Sequence, residues 1–379
     1  MPHSLVRRWG VGHVADRAER RRGPLSSSGA GAANQLGRRV PGAVASTSSA
    51  RAMAKDPLFP RPVDDALDAS RRYGESIESN YAGAVSFLRR PYARSAEGFD
   101  VAVWGVPLDT SVSNRPGTRF GPRAIREAST INVGDPTYPF QFDIFGELAV
   151  ADTGDCSLDY GRVDQMPAAI EAQAAARLAT GAHLVTLGGD HFLTYPVLKA
   201  LVARIGRPVA LVQFDAHQDT WDDDGSRIDH GTMITRAVRD GLIVPERSIQ
   251  IGIRTNAPQD CGLSIVDGLL AQELGPLATA SRILGHVEDT PAYVTFDIDC
   301  LDPAFAPGTG TPVCGGISSS FAISCLRRLG ALDLKGFDVV EVSPPYDHAG
   351  ITALAGCTMA QMYLGLLAER KRMGKQIAP

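Results

Sequence analysis

From residue 99 onward, short unbroken apolar runs alternate with stretches of helical period. Runs at 99–106, 148–152, 183–187, 209–214, 248–253, 293–296 and 336–342 read as strands. Between them, 166–180, 196–205, 233–240, 321–329 and 359–371 carry the spacing and the Ala, Leu and Met content of helices. A strand that alternates apolar with polar has one wet face, whereas a continuously apolar one is covered on both. The pattern therefore predicts an α/β chain, a central parallel sheet between two helical layers, in a three-layer α/β/α arrangement. No internal repeat or linker divides it, so residues 56–379 are expected to form a single domain.

Four of the runs end in polar clusters: Gly188-Gly189-Asp190-His191, Asp215-Ala216-His217-Gln218-Asp219, Asp297-Ile298-Asp299 and Glu341-Val342-Ser343-Pro344. Parallel strands of such a sheet present their carboxyl ends on one edge, where ligands bind. If the strand geometry continues, Asp297 and Asp299 point to the same side, as do Asp215, His217 and Asp219. With His191 this gathers four carboxylates and two imidazoles, a concentration of charge that two divalent cations would compensate. Oxygen-rich ligation without thiolate favours Mn²⁺ over Zn²⁺. A water shared between two such ions ionises near neutral pH and suits hydrolysis. Any one of these residues alone would read as a turn former or helix cap; the set is what points to metal.

Composition changes the picture in two places. Over the whole chain, 44% hydrophobic and 21% charged residues with a net charge of −4 describe an ordinary globular protein and invite neither nucleic acid nor an anionic membrane. No apolar run is read as approaching the roughly 18 residues of a membrane span. Residues 1–55 differ: Arg-rich, Ser- and Ala-rich, lacking apolar periodicity, with a charge of about +8 that leaves about −12 for the rest. They read as a basic leader outside the fold, either a mitochondrial-type transit segment or the result of an upstream start before Met53. The six cysteines show no metal or CxxC spacing and read as reduced thiols of an intracellular protein. Cys300, alternating with Asp299, reads as packing.

These motifs resemble the ureohydrolase (arginase/agmatinase) family, over about residues 75–372. The metal motifs stand here as GGDH, DAHQD and DIDCLDPAFAPGTGTP; Gly105–Asp109, Asn114–Pro122, Asp229–Met233 and Val340–Pro344 are similar to the agmatinase branch. The resemblance implies two Mn²⁺ per subunit, one on His191, Asp215, Asp219 and Asp297, the other on Asp215, His217, Asp297 and Asp299. It implies that Glu341 receives a small cationic guanidino substrate, that Asp219 steers a proton toward the leaving amine and that His230 shuttles protons. Agmatine would give putrescine and urea; the alternative substrate is a guanidino acid such as 4-guanidinobutyrate. The resemblance also implies a homo-oligomer, a trimer or hexamer, and a cytoplasmic enzyme unless the leader is genuine. Pro345 and Ile234 depart from the family pattern near the expected substrate.

Two other classes remain to be weighed. A histone-deacetylase-like amide hydrolase would need one Zn²⁺ and one D-x-H cluster, so Asp219, Asp299 and His191 argue against it. A metal-binding scaffold without activity would have lost at least one ligand, and all six stand here. Gly308-Thr309-Gly310 reads as a tight loop shaping the site, because no third glycine and helix follow. Arg115 and Arg119 read as pins of a loop, Asp222-Asp223-Asp224 as a solvated turn, and His3, His13, His183, His286 and His348 receive no role.

Overall fold

A computed structural model describes residues 63–379, apart from 75, 77 and 133–135. The basic segment 1–55 lies outside the described residues. All described residues fall within one compact unit, Leu58–Pro379.

Eight strands form one sheet: β1 (Val101–Val106), β2 (Val150–Asp155), β3 (His183–Gly188), β4 (Ala210–Phe214), β5 (Ile249–Ile253), β6 (Ser264–Asp267), β7 (Ala292–Asp297) and β8 (Leu334–Val340). Every pairing is parallel, in the order β2-β1-β3-β8-β7-β4-β5-β6. The helices are α1 (Gly121–Ser129), α2 (Ile144–Glu147), α3 (Met166–Leu178), α4 (Thr194–Ile205), α5 (Met233–Arg239), α6 (Gly268–Val287), α7 (Ser319–Leu326) and α8 (Ile351–Arg372).

The continuous apolar runs feed two cores, because successive side chains leave opposite faces of a strand. In β1, Val101 and Val103 join the core under α1, α6, α7 and α8, while Ala102, Trp104 and Val106 join the core under α3, α4 and α5. In β4, Val212 and Phe214 go to the first core and Leu211 to the second. At roughly 1.5–3 kcal/mol for each fully buried Val, Leu, Ile or Phe, strands such as β1 and β4 that feed both cores bind the sheet to both helical layers.

Four elements escaped the sequence pattern: α1, α2, β6 and α6. β6 has only four residues, and α6 is broken at Gly275-Pro276, where Gly275 adopts a left-handed φ of 70°. Leu269 and Leu277, exposed on α6, further blur its period. The last helix brings a correction. Residues 351–368 of α8 carry no charge, so this helix is long and apolar enough to cross a membrane by length and composition. Here it is a core helix, with 83% of that window buried inside the fold.

The sheet order places β3, β8, β7 and β4 side by side. Their carboxyl ends are the four polar clusters.

Candidate metal centre and active site

Backbone bends, more than strand alternation, aim the acidic residues. Asp297 closes β7, and its Oδ1 accepts the Asp299 N–H at 2.9 Å, capping a single 3₁₀ turn over Ile298–Cys300. Asp299 thus comes back beside Asp297 through a turn and not along an extended strand, which corrects the expected geometry. After β4, Asp215 Oδ1 accepts the His217 N–H at 2.6 Å and Asp299 Oδ1 accepts the Ala216 N–H at 3.1 Å, so the two clusters are stitched together. Asp219 sits at φ 53° and Glu341 at φ 63°, left-handed conformations uncommon for such residues. The DAHQD run is therefore bent as well. Gly189 is required where it stands: a Cβ there would collide with the backbone of Leu108, whose O accepts the Asp190 N–H at 2.8 Å.

The six expected ligands meet. His191 Nδ1 lies 3.1 Å from Asp215 Oδ2, 2.9 Å from Asp219 Oδ2 and 3.1 Å from Asp297 Oδ2. His217 Nδ1 lies 3.0 Å from Asp299 Oδ2 and 3.5 Å from Asp215 Oδ1. Two groups could hold a metal ion, His191 with Asp215 and Asp297, and Asp215 with His217 and Asp299. Asp215 belongs to both, and Asp219 reaches the first through His191.

Five of the six are buried, His217 alone being partly open. Burial disfavours charge on both imidazoles, but their carboxylate neighbours outweigh it: His191 is raised well above its usual range and His217 is pushed up to about 12. Burial, then Asp299 and Asp215, raise Asp297 well above the carboxylate range, and burial with Asp215 pushes Asp219 up to about 6. Asp215 is held low against its burial by the two histidines. Protons here occupy the place of cations. The residues fit a pair of divalent ions. With Nε2 engaged by Thr295 Oγ1 at 2.8 Å, His191 turns Nδ1 into the carboxylate cage.

Beside the cage lies a cavity of about 520 Å³, lined by His217, Asp219, Asp297, His230 and Thr311 on the inner side and by Trp221, Asp222, Arg227 and Asp229 toward the rim. Glu341 is buried, with Oε1 accepting the His191 N–H at 2.8 Å and meeting His230 Nδ1 at 3.0 Å. Its Oε2 has no hydrogen-bond partner. Burial opposes the charge on His230, but Glu341 prevails and pushes its pKa up to about 9. His230 Nε2 in turn meets Ser113 Oγ at 3.0 Å.

Several supporting residues escaped sequence reasoning. Asp190 is fully buried and its Oδ2 accepts the N–H groups of Thr110 and Ser111 at 2.9 and 3.2 Å, fixing the loop that brings Ser113 to His230. Burial and Glu341 push its pKa up to about 6. Arg254 donates to Asp299 O at 2.6 Å and Val313 O at 2.8 Å, clamping the acidic turn to the following loop. Only Asp190 carried a signal, its place next to His191.

Other expectations sort cleanly. Gly308–Gly310 shapes the site: Gly308 O accepts the Ser343 N–H at 2.7 Å, and a side chain on Gly310 would press on Val112. Arg119 pins its loop through Asp109 at 2.9 Å, stacked on Tyr160. Cys300 is a buried core residue, and all six cysteines are free thiols. The reading of 222–224 as a solvated turn is wrong for Asp223, whose side chain is 1% exposed between Arg236 and Arg239. Ile234 is buried in the core beneath the site and does not line the cavity. His183 is buried and neutral, desolvation holding it down at about 4 between Ile377 O and Tyr363. His348 is exposed.

Residues 99–365 match the family model described as the arginase family. The chain is 47% identical over 312 residues to the agmatinase of Chromobacterium violaceum, covering 82% of this chain and 97% of that one. Its fold matches the crystal structure of a hypothetical agmatinase from Burkholderia thailandensis, at a TM-score of 0.80 and 48% identity over 82% of this chain and 99% of that one. It also matches the proclavaminate amidino hydrolase of Streptomyces clavuligerus, at a TM-score of 0.72 and 38% identity over 77% and 99%. The chain belongs to the arginase family. It is an enzyme, an agmatinase-like ureohydrolase that hydrolyses C–N bonds, from a family that works with a binuclear metal centre. These relatives are bacterial, and none supports the mitochondrial reading of the leader.

Proposed function

We propose that this enzyme hydrolyses agmatine to putrescine and urea with two Mn²⁺ ions. One ion would lie on His191, Asp215, Asp219 and Asp297, the other on Asp215, His217, Asp297 and Asp299. When bound, such a pair lowers the pKa of a water between the ions and supplies the nucleophile. The remaining work falls to the protein. Glu341 receives the substrate guanidinium, which a carboxylate can hold in a fixed plane through paired hydrogen bonds. Asp219 directs a proton toward the departing amine, and His230, poised between Glu341 and Ser113, moves protons between the site and solvent. The observation that carries this reading is the Glu341 carboxylate, buried beside the His/Asp cage with Oε2 unpartnered.

The same reading takes residues 56–379 as the catalytic domain of a cytoplasmic homo-oligomer, trimeric or hexameric. A second substrate reading, a guanidino acid, is favoured by Arg227 on the cavity rim and by the likeness to proclavaminate amidino hydrolase. Purified protein reconstituted with Mn²⁺ should release urea from agmatine with a higher kcat/KM than from 4-guanidinobutyrate. The reverse preference would overturn the agmatine assignment while leaving the metal centre intact.

A further inference from the structure

The rim of the cavity is built by one closed loop. Trp221 N–H donates to Gly231 O at 3.0 Å, which brings the loop's two ends together. Between them stand Asp222, Arg227 and Asp229, all facing the cavity, followed by His230. Such a loop, polar and half exposed, has little apolar surface apart from Ile228, which packs against the second core, to hold it in one conformation.

What holds it is a charge cluster beneath. Asp223 Oδ2 accepts from Arg236 Nε at 2.9 Å and from Arg239 Nη1 at 2.8 Å. Arg236 Nη2 also donates to Arg227 O at 2.6 Å, so one guanidinium ties both limbs of the loop to α5. Arg236 is itself fixed, 7% exposed, over the rings of Phe192 and Tyr195 at 5.1 and 5.4 Å. Those rings follow His191 in the chain. The clamp therefore references the rim to the same turn that carries a candidate ligand. The Asp223 side chain is enclosed and bidentate to the buried Arg236, with the half-exposed Arg239 closing its outer side, and loss of an enclosed pair of this kind is felt structurally.

The rim offers opposite charges to whatever end of the substrate lies away from the guanidinium. Asp229 is already committed, its Oδ1 accepting the Gly231 N–H at 3.0 Å. Asp222, steadied by Gln259 Nε2 at 3.1 Å, is the carboxylate placed to meet a distal ammonium, with Arg227 its cationic counterpart.

We propose that Asp223 is the positioning residue of distal-end recognition: clamped by Arg236 and Arg239, it holds the 221–231 loop so that Asp222 and Arg227 read the charge on the substrate's far end. This rests on the reading of the cavity as a guanidino-substrate site.

The test compares agmatine with n-butylguanidine, which has the same chain and a neutral end, using Mn²⁺-loaded full-length protein. Asp223→Asn should raise KM for agmatine on the order of tenfold and change kcat much less, so the selectivity for the charged tail collapses. Asp223→Glu, which keeps the carboxylate, should retain more of that selectivity than Asp223→Ala. Asp222→Asn should lose selectivity in the same direction without disturbing the clamp. A merely structural role would lower activity on both substrates together. If the Asp223 variants leave the ratio of kcat/KM for charged and neutral tails unchanged, the proposal is overturned. Should the wild type prefer 4-guanidinobutyrate, the agmatine assignment fails, and the same ratio, taken with that acid, still decides the role of Asp223.

Discussion

Asp219 and Glu341 share an unusual backbone, both left-handed at the exit of a strand. A non-glycine residue in that region costs of order 1–3 kcal/mol and persists only where its surroundings enforce it. Here Gly189 O accepts the Glu341 N–H at 2.9 Å, and Asp219 O accepts the Ile234 N–H at 3.1 Å. The bends aim the Asp219 carboxylate into the cavity and set that of Glu341 behind it, against His191 and His230. The pairing of Glu341 with His230 carries a consequence for pH. His230 has its pKa raised to about 9, so the contribution of the pair to stability is complete below about pH 6.5 and is lost as pH rises through about 9. Over the same interval the imidazolium stops competing with a substrate guanidinium for Glu341. KM for agmatine, measured with Mn²⁺ saturating, should therefore fall between pH 7 and about 9, and the fall should vanish in His230→Asn. A flat KM in the wild type would exclude the competition.

At the scale of elements, the joint between β2 and α1 rests on a buried charge. Arg126 donates to Asp152 at 2.7 and 3.0 Å and to Asp155 at 2.6 Å, and Asp152 has no exposed surface. Asp152 also receives the Phe87 N–H at 2.8 Å, so the pair anchors the chain that precedes the sheet. Arg126→Ala would strand that carboxylate and should lower unfolding free energy by about 3–5 kcal/mol in urea titrations. Adding Asp152→Asn to that variant should recover part of the loss, because the stranded charge is gone. Loss below about 1 kcal/mol would show the pair to be dispensable. The elements themselves were legible where length and period agreed: β1, β3, β4, β7 and α3 lie within two residues of their expected bounds at both ends. They were illegible where the signal was local and weak. The four residues of β6 are too few for a period, and the Gly-Pro break in α6 reads as an end. The first two turns of α8 hid among Thr, Gly and Ala, whose burial is fixed by packing against the sheet and α1.

For the molecule as a whole, the metal centre and the fold share an account. Without cations, the raised His191 and His217 stabilise the fold below about pH 6.5, and that contribution drains away as pH rises toward their folded values. Asp219 and Asp297, raised by burial and by their acidic neighbours, add a penalty that sets in once the unfolded carboxylates ionise near 3.8. Bound divalent ions replace those protons and remove both effects. Chelation should therefore lower Tm, and the gap between metal-loaded and chelated protein should widen from about pH 6.5 to about 8.5. A gap that narrowed with pH would contradict the proposed ligand set. The cavity and its rim belong to the same scale, since the loop at 221–231 is tied to α5, which packs in the second core.

The sequence by itself determined the parallel α/β/α class, the four polar strand ends and the six side chains that meet there. Periodicity and strand polarity are local properties, and a parallel sheet carries every strand end to one edge. The order β3-β8-β7-β4, which sets those ends side by side, was decided only in three dimensions, because long crossovers leave no trace in a pattern of residues. So were the left-handed bends at Asp219 and Glu341, and the burial of Asp223 in a run of acids that looks like a solvated turn. A charge is read as exposed until the arginines that enclose it, thirteen and sixteen residues further along, are folded against it.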